Sequence, residues 1–197
     1  MERQAEISRE TKETKIVLNL CLDGSGETEV NTGLPFFDHV LVGFARHGFF
    51  DLQLKIDGDL QVDAHHVLED AGIVLGAAIA KSVGDKAGVR RFGAALIPMD
   101  DALAQVALDL SGRPFLCYEL KGVERLQVGG LSVRLFREFF QGLANRGAVN
   151  LHITLLAGDE PHHAVEAVFK AFGRALDAAV RIEPRNQGVP STKGILD

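Results

Sequence analysis

The sequence predicts an α+β fold in which one structural unit occurs twice. A motif of two adjacent histidines, followed three positions later by a glutamate, occurs at His65-His66 and again at His162-His163. Before each copy, apolar residues recur first at helical and then at strand spacing, in the same order. Only two copies are visible, so the pattern indicates an internal duplication and not a solenoid. We expect two similar sheets that each carry helices on one face.

Strands are predicted where apolar and β-branched residues cluster or alternate with polar ones. The predicted strands cover residues 16–22, 49–56, 94–97, 102–110, 115–120 and 149–156. Two shorter segments, residues 27–30 and 60–62, follow Gly-containing turns. Each is expected to pair back on the strand before it.

Four helices are predicted from apolar residues that recur every three or four positions. They cover residues 34–48, 64–83, 131–147 and 162–180. The first begins at Leu34-Pro35, since proline is favoured in the first turn, and ends at Gly48. The second carries the first His-His pair, and its small, apolar interior can pack closely on a sheet.

The two halves are predicted to form a single domain over residues 1–197. Their bounds are expected at about residues 10–95 and 96–183, followed by a polar tail over 184–197. Taken by itself, such a tail is expected to be a frayed terminus.

The composition excludes several classes of protein. A chain of 197 residues with 46% hydrophobic residues can bury a sizeable core, and a net charge of −6 argues against nucleic-acid binding. The longest apolar run, residues 71–80, is too short to span a bilayer, and the polar segment 1–10 is not a signal peptide. Cys21 and Cys117 form no CxxC motif, so we expect reduced, buried thiols in a cytoplasmic protein.

The duplicated histidine motif is a candidate metal site. Residues three and four apart share a helix face, so Glu69 can point the same way as His65 and His66. Imidazole nitrogens and a carboxylate suit a divalent transition metal. Adjacent helical residues lie about 100° apart around the axis, so one ion is not expected to take both histidines. Each pair is therefore predicted to serve two different ions or two different chains.

A simpler interpretation exists for a single copy of the motif. Polar residues near a helix start would account for one His-His pair without any metal. The repetition of the motif inside a repeated scaffold favours the metal-site interpretation.

These segments together resemble the imidazoleglycerol-phosphate dehydratase family, enzymes of histidine biosynthesis. The resemblance runs from about residue 10 to the end of the chain. It is carried by LPFFDHVLVGFARHGFFDL, DAHHVLEDAGIVLGAAI, RRFGAALIPMDDAL, LDLSGRPF, REFFQGLANRGAVNLHI, HHAVEAVFKAFGRAL and PSTKGIL. It implies tandem halves of the ribosomal protein S5 domain 2-like type and two manganese ions per active site. It also implies a homo-oligomer of trimers, usually with 24 subunits, that shares its metal sites between subunits.

The resemblance also implies a set of metal ligands. They are His39, His65, His66, Glu69, Glu138, His162, His163 and Glu166. Several family members have histidine at the position of Glu138, and a carboxylate there can still bind manganese. The alternatives are that His152 or a water molecule completes that shell.

The family's substrate contacts and catalytic groups map onto further residues. The contacts correspond to Glu13, Arg91, Arg113, Lys170, Ser191 and Lys193. The catalytic candidates are Glu13, His66, Glu69, His163 and Glu166, with Glu13 or a metal-site carboxylate as the acid or base. A family glutamine is replaced by Gly43, so that contact is missing or supplied elsewhere. Arginine and lysine suit the substrate phosphate.

The implied reaction removes water from imidazole glycerol phosphate to give imidazole acetol phosphate, without a redox cofactor. Some bacterial members carry a fused histidinol-phosphatase domain, for which this chain leaves no spare length.

Two rival interpretations remain at this point. A two-metal histidine and carboxylate site commonly activates water, as in a metallohydrolase. Alternatively, the ions merely join subunits in a non-catalytic assembly. The predicted basic phosphate pocket argues against this interpretation, because a purely structural metal site does not need one.

Overall fold

Two four-stranded sheets enclose a layer of helices in the computed structural model, which describes residues 3–186, 188–194 and 196. The first half contains β1 (Gln4–Glu10), β2 (Thr14–Cys21), β3 (Thr28–Asn31), α1 (Pro35–Gly48), β4 (Asp51–Gly58) and α2 (His65–Val83). The second half contains β5 (Phe92–Met99), β6 (Ala102–Asp109), β7 (Phe115–Glu119), β8 (Gln127–Val128), β9 (Leu131–Ser132), α3 (Leu135–Gly147), β10 (Asn150–Ala157) and α4 (Pro161–Val180).

The two halves have the same topology. The first sheet has the strand order β1-β2-β4-β3 and the second has β5-β6-β10-β7. In each sheet the first three strands are antiparallel and the last is parallel to its neighbour. Only the short β8–β9 pair has no counterpart among the described residues. The predicted fold class, an α+β protein with two similar halves, is confirmed.

Two predicted hairpins are wrong, because the order of strands in the first sheet differs from a simple back-pairing. Residues 28–31 pair with β4 in parallel and do not pair with β2. A parallel pair needs a crossover connection, which α1 provides between β3 and β4. Residues 60–62 form a turn, in which Val62 donates its amide hydrogen to the Asp59 carbonyl at 2.8 Å. They cannot pair with β4 because β2 and β3 already occupy both of its edges.

Two further boundaries differ from the prediction. Strand β1 lies in a segment that the sequence marked only as polar, because an edge strand here buries Ala5 and little else. The third helix begins at Leu135 and not at Leu131, since Leu131 pairs with Val128 in the β8–β9 ribbon.

The helices of opposite halves pack on one another. Helix α1 lies against α4, and α2 lies against α3. Their common centre is aromatic: the Phe37 ring meets the Phe139 ring edge-on at 5.4 Å, and Phe139 stacks on Phe169 at the same distance. All three side chains are buried. The two halves therefore share one hydrophobic core.

Glycines allow both helix pairs to approach closely at equivalent places. A Cβ at Gly173 of α4 would lie 2.3 Å from the Phe44 carbonyl oxygen of α1. A Cβ at Gly76 of α2 would lie 2.5 Å from the Leu143 carbonyl oxygen of α3. The close approach of α1 and α4 brings the polar edges of these two helices together.

The outer faces of the two sheets differ in polarity. Burial alternates along β2 and β4, so every second side chain points away from the helices. Lys15, Gln53 and Lys55 are among these and lie on the outer face of the first sheet. On the outer face of the second sheet, Phe92 and Phe115 are 60% and 52% exposed. The first outer face is thus polar, and the second is largely apolar.

The two cysteines lie on these outer faces. Cys21 and Cys117 are free, but they are half-buried and not buried as expected. Strand alternation points both side chains away from the helices. Among the described residues, no helix is both long enough and apolar enough to cross a bilayer.

The close approach of α1 and α4 can be tested with two glycine substitutions. Gly173→Ala should destabilise the protein by about 1–3 kcal/mol, because the new methyl group meets backbone that cannot move away. Gly43→Ala is the matched control, since its Cβ meets only the Lys170 side chain, at 4.0 Å. Alanine is favoured over glycine inside a helix by about 0.5–1 kcal/mol, so this variant should be slightly more stable. Thermal unfolding at equal protein concentration measures both. Equal stability of the two variants would contradict the packing.

Candidate metal and substrate site

Three metal-ligand side chains converge where α1 meets α4. The Nε2 atoms of His39 and His162 each lie 3.1 Å from the same Glu166 oxygen, Oε2. One ligand atom from each residue lies within 4.8 Å of the other two. Two imidazole nitrogens and a carboxylate oxygen are donors that a divalent transition ion accepts. The cluster therefore fits a metal ion and could provide three ligands from one chain.

The local structure explains why these side chains meet. His162 and Glu166 are one turn apart on α4, so they share a face. Glu160 caps this helix by accepting a hydrogen bond from the His162 amide at 2.9 Å. The Phe36 ring of α1 packs edge-on against the His162 ring at 5.1 Å. His39 comes from the other half of the chain and reaches Glu166 only through the α1–α4 contact.

The surroundings of Glu166 keep its carboxylate negatively charged, as binding of a cation requires. Its side chain is buried, and its other oxygen, Oε1, accepts a hydrogen bond from Lys170 Nζ at 2.8 Å. Burial by itself raises the pKa of the Glu166 carboxyl, but the bonds from Lys170 and His39 outweigh burial and lower the pKa to about 2. The carboxylate is therefore ionised at neutral pH.

Adjacent histidines point in different directions, as the helix geometry predicts. The His65 ring contacts Glu69 and the His66 ring contacts Asp59, while the His162 ring contacts Glu166. His163 turns away from the Glu166 cluster towards Asp101, whose Oδ1 lies 2.7 Å from Nδ1. The two histidines of each pair therefore contact different carboxylates.

His66 and His163, which we call the outward histidines, each have one carboxylate beside Nδ1 and a second one near Nε2. His66 Nδ1 lies 3.1 Å from Asp59, and its Nε2 lies 3.8 Å from Glu13. His163 Nδ1 contacts Asp101, and its Nε2 lies 3.4 Å from Asp100. A carboxylate on Nδ1 fixes the ring and leaves Nε2 to face a ligand. Glu13, predicted to be catalytic, therefore lies beside His66.

Three of these carboxylates were missed by sequence reasoning. They are Asp59, Asp100 and Asp101. All three lie in turns, where aspartate is common for purely local reasons. The signal that could have found Asp59 is its position in the turn just before the His-His helix.

The equivalent site in the other helix pair is more open. His65 Nε2 lies 3.6 Å from Glu69, one turn along α2. Glu138, at the position equivalent to His39, contacts Arg137 at 3.7 Å. Glu69 and Glu138 line one cavity of about 660 Å³ between α2 and α3. His152 faces the outer side of the second sheet, 5.4 Å from the Phe115 ring, so within one subunit it lies away from these helices.

Four of the six predicted substrate contacts line another cavity, of about 470 Å³. They are Arg91, Arg113, Ser191 and Lys193. Two guanidinium groups, an ammonium and a hydroxyl suit a phosphate. The other two predicted contacts lie elsewhere, Glu13 beside His66 and Lys170 on Glu166.

Arg91 joins the C-terminal tail to this cavity. Its Nε donates to Asp109 at 2.6 Å, and its Nη1 donates to the Pro190 carbonyl at 2.8 Å. The Gly88 amide also donates to the Gly188 carbonyl at 2.9 Å. The described part of the tail is therefore anchored and not frayed, while residues 187, 195 and 197 lie outside the described residues.

The contact between His163 and Asp101 can be tested by titration. The Asp101 carboxylate on Nδ1 raises the pKa of His163 above its ordinary value of 6.5. Asp101→Asn removes the negative charge with little change in shape, so the pKa of His163 should fall. Asp177→Asn, near the opposite end of α4, is the control and should leave the His163 pKa unchanged. NMR titration of the imidazole Cε1 proton measures both. An unchanged pKa in Asp101→Asn would contradict the contact.

Comparisons with known proteins identify the family of the chain. Residues 32–176 match the sequence profile of the imidazoleglycerol-phosphate dehydratase family. The chain is 53% identical over 196 residues to the imidazoleglycerol-phosphate dehydratase of Geobacter sp. (strain M21), covering 100% of both chains. It is 55% identical over 195 residues to that of Bordetella petrii, covering 98% of this chain and 100% of the relative.

Solved structures agree with the sequence comparisons. The enzyme from Pyrococcus furiosus, in complex with (S)-C348, matches with a TM-score of 0.83 and 36% identity, over 96% of this chain and 100% of that one. The enzyme from Staphylococcus aureus matches with a TM-score of 0.81 and 34% identity, over 91% and 99%. The chain therefore belongs to the imidazoleglycerol-phosphate dehydratase family, hydro-lyases of histidine biosynthesis.

Proposed function

We propose that this chain catalyses the metal-dependent dehydration of imidazole glycerol phosphate to imidazole acetol phosphate and water. The observation that carries the proposal is the convergence of His39, His162 and Glu166, in a chain that matches dehydratases over its whole length. The chain would hold two divalent ions, and the family resemblance favours manganese, which accepts the oxygen ligands that Glu69, Glu138 and Glu166 offer.

The duplication suggests how the ligands divide between the two ions. One ion would take His39, His162 and Glu166. The second would take the equivalent set, which is His65, Glu69 and Glu138. His66 and His163 instead contact Asp59 and Asp101, so each would complete a shell that begins on a neighbouring subunit.

The reaction requires the loss of a hydroxyl and of a carbon-bound proton. The carbon attached to the imidazole loses the hydroxyl, its neighbour loses the proton, and the resulting enol becomes the ketone. Bound divalent ions would supply Lewis-acid stabilisation of negative charge on the imidazole ring. Among the residues of the chain, Glu13 is our candidate for the proton acceptor, because its carboxylate is half exposed beside His66.

The substrate phosphate would lie in the cavity lined by Arg91, Arg113, Ser191 and Lys193. Charge-assisted hydrogen bonds from the two guanidinium groups and the ammonium would hold a dianion. This local basic set explains how a protein with a net charge of −6 can bind an anionic substrate. Arg91 would orient Ser191 and Lys193 through its bond to the Pro190 carbonyl.

We also propose that the chain assembles as a homo-oligomer built of trimers, with 24 subunits and shared metal sites. Each metal set within one chain is incomplete, and each outward histidine requires a partner. The apolar outer face of the second sheet, with Phe92, Leu96 and Phe115 more than half exposed, is our candidate contact with a second copy of this chain. We expect the enzyme to act in the cytoplasm.

The metal ligands can be tested with two histidines of the same helix. His39→Ala should lose about one ion per chain and most of the dehydratase activity, since a catalytic metal site rarely survives loss of a ligand. His47→Ala, about two turns further along α1, should keep both ions and the activity. Metal analysis and detection of the ketone after addition of manganese and imidazole glycerol phosphate are the measurements. Full metal content in His39→Ala would refute the ligand assignment, and release of phosphate without ketone would indicate a metallohydrolase.

Metal removal should dissociate the assembly. Ligands from separate chains lose their common partner when the ion leaves, so chelation should convert the large particle into small oligomers, which we expect to be trimers. Acidification should act in the same direction. Because neighbouring carboxylates raise the pKa of His66 and His163, proton competition should begin at a higher pH than it would without these neighbours. Light scattering with and without added manganese measures the change. A particle that keeps its mass after complete metal removal would contradict shared sites.

A further inference from the structure

A buried carboxylate on helix α2 binds the two residues that flank the turn carrying Glu13. Asp70 lies on α2 next to Glu69, and it is 6% exposed. It accepts hydrogen bonds from the Thr14 hydroxyl and from Arg9 Nη1. Thr14 is itself buried, and Arg9 Nη1 also lies 3.4 Å from its hydroxyl. Asp70, Thr14 and Arg9 form one network, which we call the hairpin clamp.

The hairpin clamp fixes a short turn at both ends. Arg9 is near the end of β1, Thr14 begins β2, and Glu13 directly precedes Thr14. Within the turn, the Thr11 amide donates to the Thr14 carbonyl at 2.9 Å, and the Glu13 amide donates to the Thr11 hydroxyl at 3.1 Å. The Glu13 carbonyl accepts from the Asp59 amide at 3.0 Å. The turn is therefore tied to α2 and to the residue that contacts His66.

The second half of the chain folds without this clamp. The strand registers place Ala102 at the position equivalent to Thr14, and Ile97 at the position equivalent to Arg9. Alignment of the two His-His motifs places Ala167 at the position equivalent to Asp70. All three polar members are thus replaced by apolar residues, and the hairpin still packs against its helix. The fold itself does not require the clamp.

We propose that Asp70 is a positioning residue that holds Glu13 in place for proton transfer. The inference rests on the proposed function, in which Glu13 is the proton acceptor. The clamp occurs only in the half whose turn carries the candidate base. Glu13 lies on an exposed turn. Among the described residues, the only contact of its carboxylate is the one with His66, at 3.8 Å. A displacement of about 1 Å in a reacting group can cost about a hundredfold in rate, so anchoring this turn has a direct chemical consequence.

The clamp can be replaced by the residues that the second half uses. The variant Arg9→Ile, Thr14→Ala, Asp70→Ala removes all three polar groups together, so no buried charge is left without a partner. We expect unchanged metal content, a kcat lowered by about ten- to a hundredfold, and faster hydrogen exchange of the Glu13 amide. In a Glu13→Gln background, the same triple change should lower kcat no further, because the clamp acts through Glu13.

A second pair of variants keeps the test decisive if the triple variant folds poorly. Thr14→Val keeps the shape of the side chain but loses the hydroxyl, and it should lower kcat with little change in KM. Thr14→Ser keeps the hydroxyl and should retain most of kcat.

The possible outcomes separate this inference from the proposed function. If the triple change lowers kcat equally with and without Glu13, the clamp does not act through Glu13 and the inference is overturned. Wild-type kcat in the triple variant, in Thr14→Val or in Glu13→Gln would overturn it too. In each case the wild-type enzyme would still produce the ketone, so the proposed dehydration would stand; wild-type kcat in Glu13→Gln would reject only the role of Glu13. A wild-type protein that makes no ketone would reject the proposed function itself.

Discussion

The contact between α1 and α4 is the interaction on which the site depends. Gly173 lets the two helix backbones approach, and the Phe37, Phe139 and Phe169 rings fill the space beside them. Because the two helices come from opposite halves, neither half alone holds His39 against Glu166. The hydrophobic core and the candidate metal site therefore form in the same folding event. Loss of the close helix packing should disturb both.

Divergence between the two halves is as informative as their similarity. The helix pair α1–α4 presents two histidines and a glutamate, whereas α2–α3 presents one histidine and two glutamates. One outer sheet face is polar, and the other exposes Phe92 and Phe115. Only the first half has the hairpin clamp at the turn that carries Glu13. The duplicated scaffold thus provides two similar frames whose exposed residues differ.

In our proposal, His66 and His163 would connect the chemistry of the site to assembly. His66 and His163 are each held by a carboxylate on Nδ1, and each points away from the ligand cluster on its own helix pair. A fixed ring with an available nitrogen is suited to a ligand that arrives from outside the subunit. In our proposal, metal binding, subunit contact and catalysis would consequently share the same few side chains.

The sequence by itself determined the repeated motif, the four helices, most strands and the divergence of adjacent histidines. Each of these follows from local periodicity, which reports which face of an element is buried. Periodicity does not report what covers that face. Only the tertiary structure decided that β3 runs parallel to β4 and that α1 packs on α4. The carboxylate at Asp101 also required the structure, because it lies far from His163 in the sequence and a turn aspartate gives no local sign of a distant partner.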